Sequence, residues 1–150
     1  MTKDELYMSQ AVDQAILAGR CGEVPIGAVI VQDGKILAAD RNRREELNDA
    51  TAHAEVLVIR QAGNMLAGWR LPGCTVYVTL EPCPMCAGAL VLARIDRLVF
   101  GAHDPKGGAA GTLLNIVQDD RLNHTMEVTG GVMEEECSGL LKEFFREKRE

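Results

Sequence analysis

A chain of 150 residues is enough for one hydrophobic core and is expected to form a single domain over 1–150. Hydrophobic residues make up 47% and charged residues 25%, ordinary values for a globular protein, and the charged start Met1-Thr2-Lys3-Asp4-Glu5 argues against a signal peptide or a membrane partner. The net charge of −6 excludes binding driven by bulk basic charge, so a nucleic-acid partner would have to be read through a local site.

From Asp4 to about Gly19, the residues Leu6, Ala11, Val12, Ala15 and Ile16 recur at helical spacing, and Gly19 and Gly22 close that helix. Ile26 to Val31 is a β-branched run. Asp33-Gly34 is a two-residue turn signal, which makes Lys35 to Ala39 the partner strand of a hairpin. Asp40 to Asp49 is polar and irregular. Thr51 is the expected N-cap of a helix running from Ala52 to about Ala62. Thr75 to Leu80 reads as a strand broken by Glu81-Pro82, and Cys83 to about Ala93 reads as a helix. Leu98 to Phe100 is a short strand, followed by a glycine-rich loop from Gly101 to Gly111. Met126 to Val128 is a weak strand, and Glu134 to Arg149 is a closing amphipathic helix. Helices alternating with strands after an opening hairpin predict an α/β layered domain with helices on both faces of a mixed sheet.

Chemistry concentrates in two segments. His53-Ala54-Glu55 lies thirty residues before Pro82-Cys83-Pro84-Met85-Cys86, counted from His53 to Cys83. One imidazole and two thiolates are three good zinc ligands, and a tetrahedral ion with three protein ligands keeps a position for water. Two thiolates cancel the charge of the ion, so its water is acidified less than in an all-histidine site. A carboxylate able to take the proton is what such a site lacks, and Glu55 supplies one. In a helix interior, positions two apart do not share a face, so His53 and Glu55 serve one site only if the metal sits off the helix N-terminus. A CxxC pair alone would also suit a redox protein, but the upstream His-x-Glu favours metal. Five cysteines is an odd count with no disulfide framework, which fits a reducing compartment, the cytoplasm. Cys21, Cys74 and Cys137 are read as small buried hydrophobes, His103 and His124 as hydrogen-bonded loop residues, and Trp69 as packing.

The His-x-Glu and Pro-Cys-x-x-Cys signature resembles that of the zinc-dependent base deaminases. The wider sequence resembles the bacterial tRNA-specific adenosine deaminases. The residues that carry this are Gly22-Glu23-Val24-Pro25-Ile26-Gly27-Ala28, Thr51 to Glu55, Leu71 to Ala89, Gly101-Ala102-His103-Asp104-Pro105-Lys106-Gly107-Gly108, Asn123-His124 and Leu140 to Arg146. The resemblance implies a three-layer α-β-α cytidine-deaminase-like fold with a five-stranded mixed sheet, a homodimer, and one Zn2+ per subunit. It implies hydrolytic conversion of adenosine to inosine at the wobble position of tRNA anticodons by zinc-activated water. His53, Cys83 and Cys86 match the family's ligands and Glu55 its proton shuttle. Asn42 matches an asparagine that holds the target nucleoside. Asp104 and Lys106 match the loop beside the active-site mouth, where a carboxylate suits a ribose 2′-hydroxyl and an ammonium suits a phosphate. Arg146, Lys148 and Arg149 would add a basic patch. The expected partner is then a tRNA anticodon stem-loop, with no DNA and no membrane. The alternative within the same chemistry is a deaminase of a free base or nucleotide, of guanine or cytosine type. A binding module with a structural zinc is the alternative from another class, and Glu55 argues against it.

Overall fold

The computed structural model describes residues 1–149. Helix α1 (Lys3–Arg20) begins in a capping box. The Thr2 hydroxyl accepts the Glu5 N–H at 3.1 Å, and the Glu5 carboxylate accepts the Thr2 N–H at 2.9 Å. Strands β1 (Gly27–Gln32) and β2 (Lys35–Arg41) follow as an antiparallel hairpin. The hairpin turns through Asp33 and Gly34, both at positive φ (50° and 75°), the backbone that Asp-Gly supports in a two-residue turn. The remaining elements are α2 (Arg44–Leu47), α3 (Ala54–Leu66), β3 (Cys74–Leu80), α4 (Pro84–Leu92), β4 (Arg97–Ala102), β5 (Glu127–Thr129) and α5 (Glu134–Arg149).

The five strands form one sheet in the order β2-β1-β3-β4-β5, antiparallel across β2-β1-β3 and parallel across β3-β4-β5. Alternation along the strands divides the core in two. Val76, Val78, Leu98 and Phe100 face one way and pack with Ala54, Val58, Ala62 and Leu90 of α3 and α4. Tyr77 and Val99 face the other way and pack with Met8, Ala11 and Cys137 of α1 and α5. This is the three-layer α/β arrangement with a five-stranded mixed sheet that the resemblance implied. Among the described residues, no helix is long and apolar enough to cross a membrane.

Two local expectations are corrected. The polar stretch after β2 contains the short helix α2, which four residues could not announce by periodicity. Thr51 does not cap α3, because its hydroxyl donates to the Asp49 carboxylate at 2.7 Å; the N-cap is His53.

Asp4 of α1 ties the helix to the sheet. Its carboxylate accepts two hydrogen bonds of 2.8 Å from the Arg97 guanidinium and one of 2.8 Å from the Tyr77 hydroxyl. The Arg97 bonds hold the Asp4 carboxyl below its usual range, outweighing burial, which pushes it upward. A depressed folded-state pKa contributes stability above the unfolded value, near 4, and loses it as pH falls through the folded value. Asp4→Asn is therefore expected to cost about 1 kcal/mol at pH 7. Thermal melts should show the gap from wild type closing below about pH 4; an equal gap at pH 3 and pH 7 would contradict this origin.

Candidate active site

The N-termini of α3 and α4 converge at the end of β3. The chain leaves β3 through Glu81-Pro82, and Cys83 becomes the N-cap of α4 in extended backbone (φ −73°, ψ 172°) with Pro84 at the first helical position. Cys86 lies in the first turn and is fully buried. His53 caps α3 in extended backbone (φ −81°, ψ 149°), yet its ring makes no capping bond. Instead, Asn42 takes the open Ala54 N–H on its Oδ1 at 2.9 Å. The His53 ring is thereby left to face the cysteines. His53 sits just outside the helix and Glu55 just inside it, so both reach a point off the helix N-terminus, as their spacing required.

His53 Nδ1 stands 3.7 Å from Cys83 Sγ and 3.4 Å from Cys86 Sγ, and the three donor atoms lie within 4.8 Å of one another. Zinc bonds of about 2.3 Å to sulfur and about 2.0–2.1 Å to nitrogen, at a tetrahedral angle, put a nitrogen and a sulfur about 3.6 Å apart. The donor set and its spacing therefore fit zinc. The hydrogen bond from Cys86, with His53 beside it, pulls the Cys83 thiol down to about 4 against the opposing effect of burial. Cys86 is pushed strongly upward by its bond to Cys83 and by burial. The Cys83 hydrogen bond raises the His53 imidazole above its usual value. Both helix N-termini add positive potential that favours thiolate.

Glu55 is 4% exposed, and burial lifts its carboxyl to about 7. A cation held by the three donors would draw it down again. A cleft of about 160 Å3 joins the cluster to solvent. His53, Glu55, Cys83, Asn42 and Asp104 line it, with Val24, Ile26 and Leu80 as apolar wall and Arg44 at the edge. Asp104 directs Oδ1 back to its own loop, accepting the Lys106 and Gly107 N–H groups at 3.0 and 3.2 Å. Six of the seven residues expected in the site meet in this cluster and cleft. The seventh, Lys106, is exposed on the loop and its side chain does not line the cleft.

Two carboxylates of the site carried no signal of their role. Glu81 is 2% exposed and lines the cleft. Burial pushes its pKa up, but the Thr112 hydroxyl and the N–H groups of Asp104, Thr112 and Ala110 outweigh it and hold the carboxyl below its usual value. Glu23 is equally buried and accepts the Glu45 and Glu46 N–H groups at 3.2 and 2.9 Å, fixing α2 and with it Arg44. In sequence, Glu81 reads as a strand terminator, and nothing in its neighbours announces a buried anion.

Other side chains fall elsewhere. His103 and His124 hydrogen-bond to Glu134 and to the Ile95 carbonyl. Cys74 and Cys137 are buried as expected, but Cys21 is exposed. Trp69, expected to pack, is 60% exposed beneath the Arg70 guanidinium. Arg146 pairs with Glu143 one helical turn back.

The layered fold and the His-x-Glu, Cys-x-x-Cys cluster define a deaminase, and a family described as MafB19-like deaminase matches residues 2–149. A tRNA-specific adenosine deaminase of Bacillus subtilis (strain 168) is 58% identical over 149 residues, covering 99% of this chain and 92% of the relative. One from Agrobacterium fabrum is 50% identical over 143 residues, covering 95% and 94%. A solved structure described under A-to-I editing by tRNA:A34 deaminases at the wobble position of transfer RNA matches with a TM-score of 0.88 and 48% identity, covering 91% of this chain and 99% of the other. The chain belongs to the tRNA-specific adenosine deaminase family.

Proposed function

We propose that this chain converts adenosine to inosine by hydrolysis at the wobble position of a tRNA anticodon, acting as a single domain. The observation that carries the reaction is the convergence of His53 Nδ1 and two cysteine sulfurs beside the buried Glu55, at the floor of a cleft. The RNA substrate rests on identity that runs the length of relatives bearing that activity in their names.

His53, Cys83 and Cys86 would hold one zinc ion per subunit, whose chemistry is to acidify a water for attack on the amino-bearing ring carbon. Glu55 moves the protons. Its carboxylate takes one from the attacking water, delivers it to the adjacent ring nitrogen, and carries a second to the departing amino group. One water is consumed and one ammonia released. Asn42 orients the nucleoside: with Oδ1 engaged by Ala54, its Nδ2 is the donor left for the substrate. The Asp104 carboxylate, bordering the cleft, suits a ribose 2′-hydroxyl. Val24, Ile26 and Leu80 exclude water around a base turned out of its stack. Lys106, at the loop surface, meets a backbone phosphate.

The RNA partner is an anticodon stem-loop. A groove continuing from Asn42 and Arg44 to Phe144, Phe145 and Lys148 supports this, since it sets Arg44, Lys148 and two aromatic side chains beside the cleft, with Glu23 and Glu45 in the same lining. The active unit is a homodimer. An apolar groove between α3 and α4, formed by Val56, Ile59, Trp69, Ala89 and Leu92, supports this, with Leu92 69% exposed. The enzyme works in the cytoplasm, in keeping with five unpaired cysteines.

The test is turnover on an anticodon stem-loop RNA bearing a wobble adenosine, beside guanine, cytosine and free adenosine, with products read by mass spectrometry. Inosine in the RNA alone is expected. Ammonia from a free base, with the RNA untouched, would replace the substrate assignment and keep the metal chemistry.

A further inference from the structure

Glu81 sits two residues before Cys83, yet its carboxylate faces away from the metal-type cluster into the loop that follows β4. Oε1 accepts the Asp104 N–H at 3.0 Å and the Thr112 hydroxyl. Oε2 accepts the Ala110 and Thr112 N–H groups at 3.0 Å each. The neighbouring backbone joins the same seam. Glu81 N–H donates to the Ala102 carbonyl at 2.9 Å, and the Pro82 carbonyl accepts the Ala109 N–H at 2.8 Å. Gly108 allows the close wrap, because a Cβ there would collide with the Glu81 carboxylate. A buried anion that pairs with no cation among the described residues is costly unless its four donors stay in place. The loop from Asp104 to Thr112 is therefore folded around one side chain. That side chain is anchored in the same strand end that presents Cys83.

The geometry points to Glu81 as a positioning residue for the substrate: it fixes the 104–112 loop to the metal-bearing strand end, so that Asp104 borders the cleft. Glu81 touches no reacting atom; it acts through Asp104. This rests on the adenosine-deaminase reading given above. Losing the anchor should weaken substrate capture and leave the metal and the proton chemistry in place. A glutamine cannot substitute. Each carboxylate oxygen receives two donors, and an NH2 at either position faces at least one N–H.

The test compares wild type, Glu81→Gln, Thr112→Val and Thr112→Ser as zinc-loaded proteins. In Glu81→Gln, hydrogen exchange at the Asp104, Ala110 and Thr112 amides is expected to accelerate about 10-fold or more. Bound zinc should stay at the wild-type ratio. On the stem-loop RNA, KM should rise about 10-fold while kcat changes less than about threefold. Thr112→Val, which removes one donor without touching Glu81, should move exchange and KM the same way by a smaller factor, and Thr112→Ser should restore both. Should Glu81→Gln not fold, the threonine pair decides. Unchanged loop exchange, loss of zinc, or a fall in kcat at constant KM would each overturn the assignment. A wild type inactive on the RNA would remove the functional reading, and the exchange comparison would still decide whether Glu81 sets the loop.

Discussion

Glu55→Ala is expected to bind zinc at the wild-type ratio and to deaminate the stem-loop RNA slower by about 10²–10⁴-fold or more. The expectation comes from the division of labour in the site. His53, Cys83 and Cys86 place their donor atoms within 4.8 Å of one another without Glu55, so the proposed ligand set does not need it. Glu55 instead stands as the second residue of α3, buried at 4% exposure, with its carboxyl lifted to about 7 by desolvation. A carboxyl so placed, raised by burial and drawn down by a cation on the three donors, can both accept a proton and return it, which is what a reaction that adds water and expels ammonia demands. Glu55→Gln, which keeps the side chain's volume, should behave as the alanine variant does, separating the lost proton carrier from any cavity left in the helix. Metal analysis and single-turnover kinetics together decide the matter. Near-normal turnover in either variant would remove Glu55 from the chemistry. Zinc lost along with activity would make it part of the metal set.

The sequence carried the fold where burial imposes a period and the site where chemistry imposes a residue type. The helix from Lys3 to Arg20, the Asp-Gly hairpin and the strand before Glu81 were legible because each obeys a local rule of spacing or turn geometry. His53, Glu55, Cys83 and Cys86 stood out as candidates because few other side chains bind zinc or carry protons, and the fold brings them to one cluster and cleft. Asn42 shows where local rules stop. Its amide caps a helix twelve residues away, so the same side chain serves the backbone through Oδ1 and faces the cleft as well. Thr51 had the better local credentials as a cap, and lost to His53 because Asn42 satisfies the open N–H from across the chain. Glu81 and Glu23 were invisible for the same reason. All but one of their partners, the Thr112 hydroxyl, are backbone N–H groups 22 to 31 residues distant, and a backbone donor has no letter in the sequence. Trp69 and Cys21 went the other way: residue types that are usually covered are open here, and no local pattern distinguishes the two cases.

Cys86→Ala is expected to lose zinc and all measurable deamination while keeping the fold. Cys86 is fully buried in the first turn of α4, where no water-exposed side chain can take its place. Removing its sulfur leaves His53 and Cys83, and two protein ligands do not hold a tetrahedral ion against competition from solvent and buffer. Disturbing even residues that only support metal ligands commonly costs about 10–100-fold in affinity, so removing a ligand should exceed about 100-fold. The fold is expected to persist because the substitution deletes one small atom from a helix whose packing rests on Ala87, Leu90 and Val91. Circular dichroism should therefore match that of chelator-treated wild type. The melting temperature should fall to the level of that metal-free protein and no longer respond to added zinc. A Cys86→Ala protein that retained one zinc per chain would refute the ligand assignment. It would also imply that the 3.4 Å approach of Cys86 Sγ to His53 Nδ1 is packing and not the imprint of a shared ion.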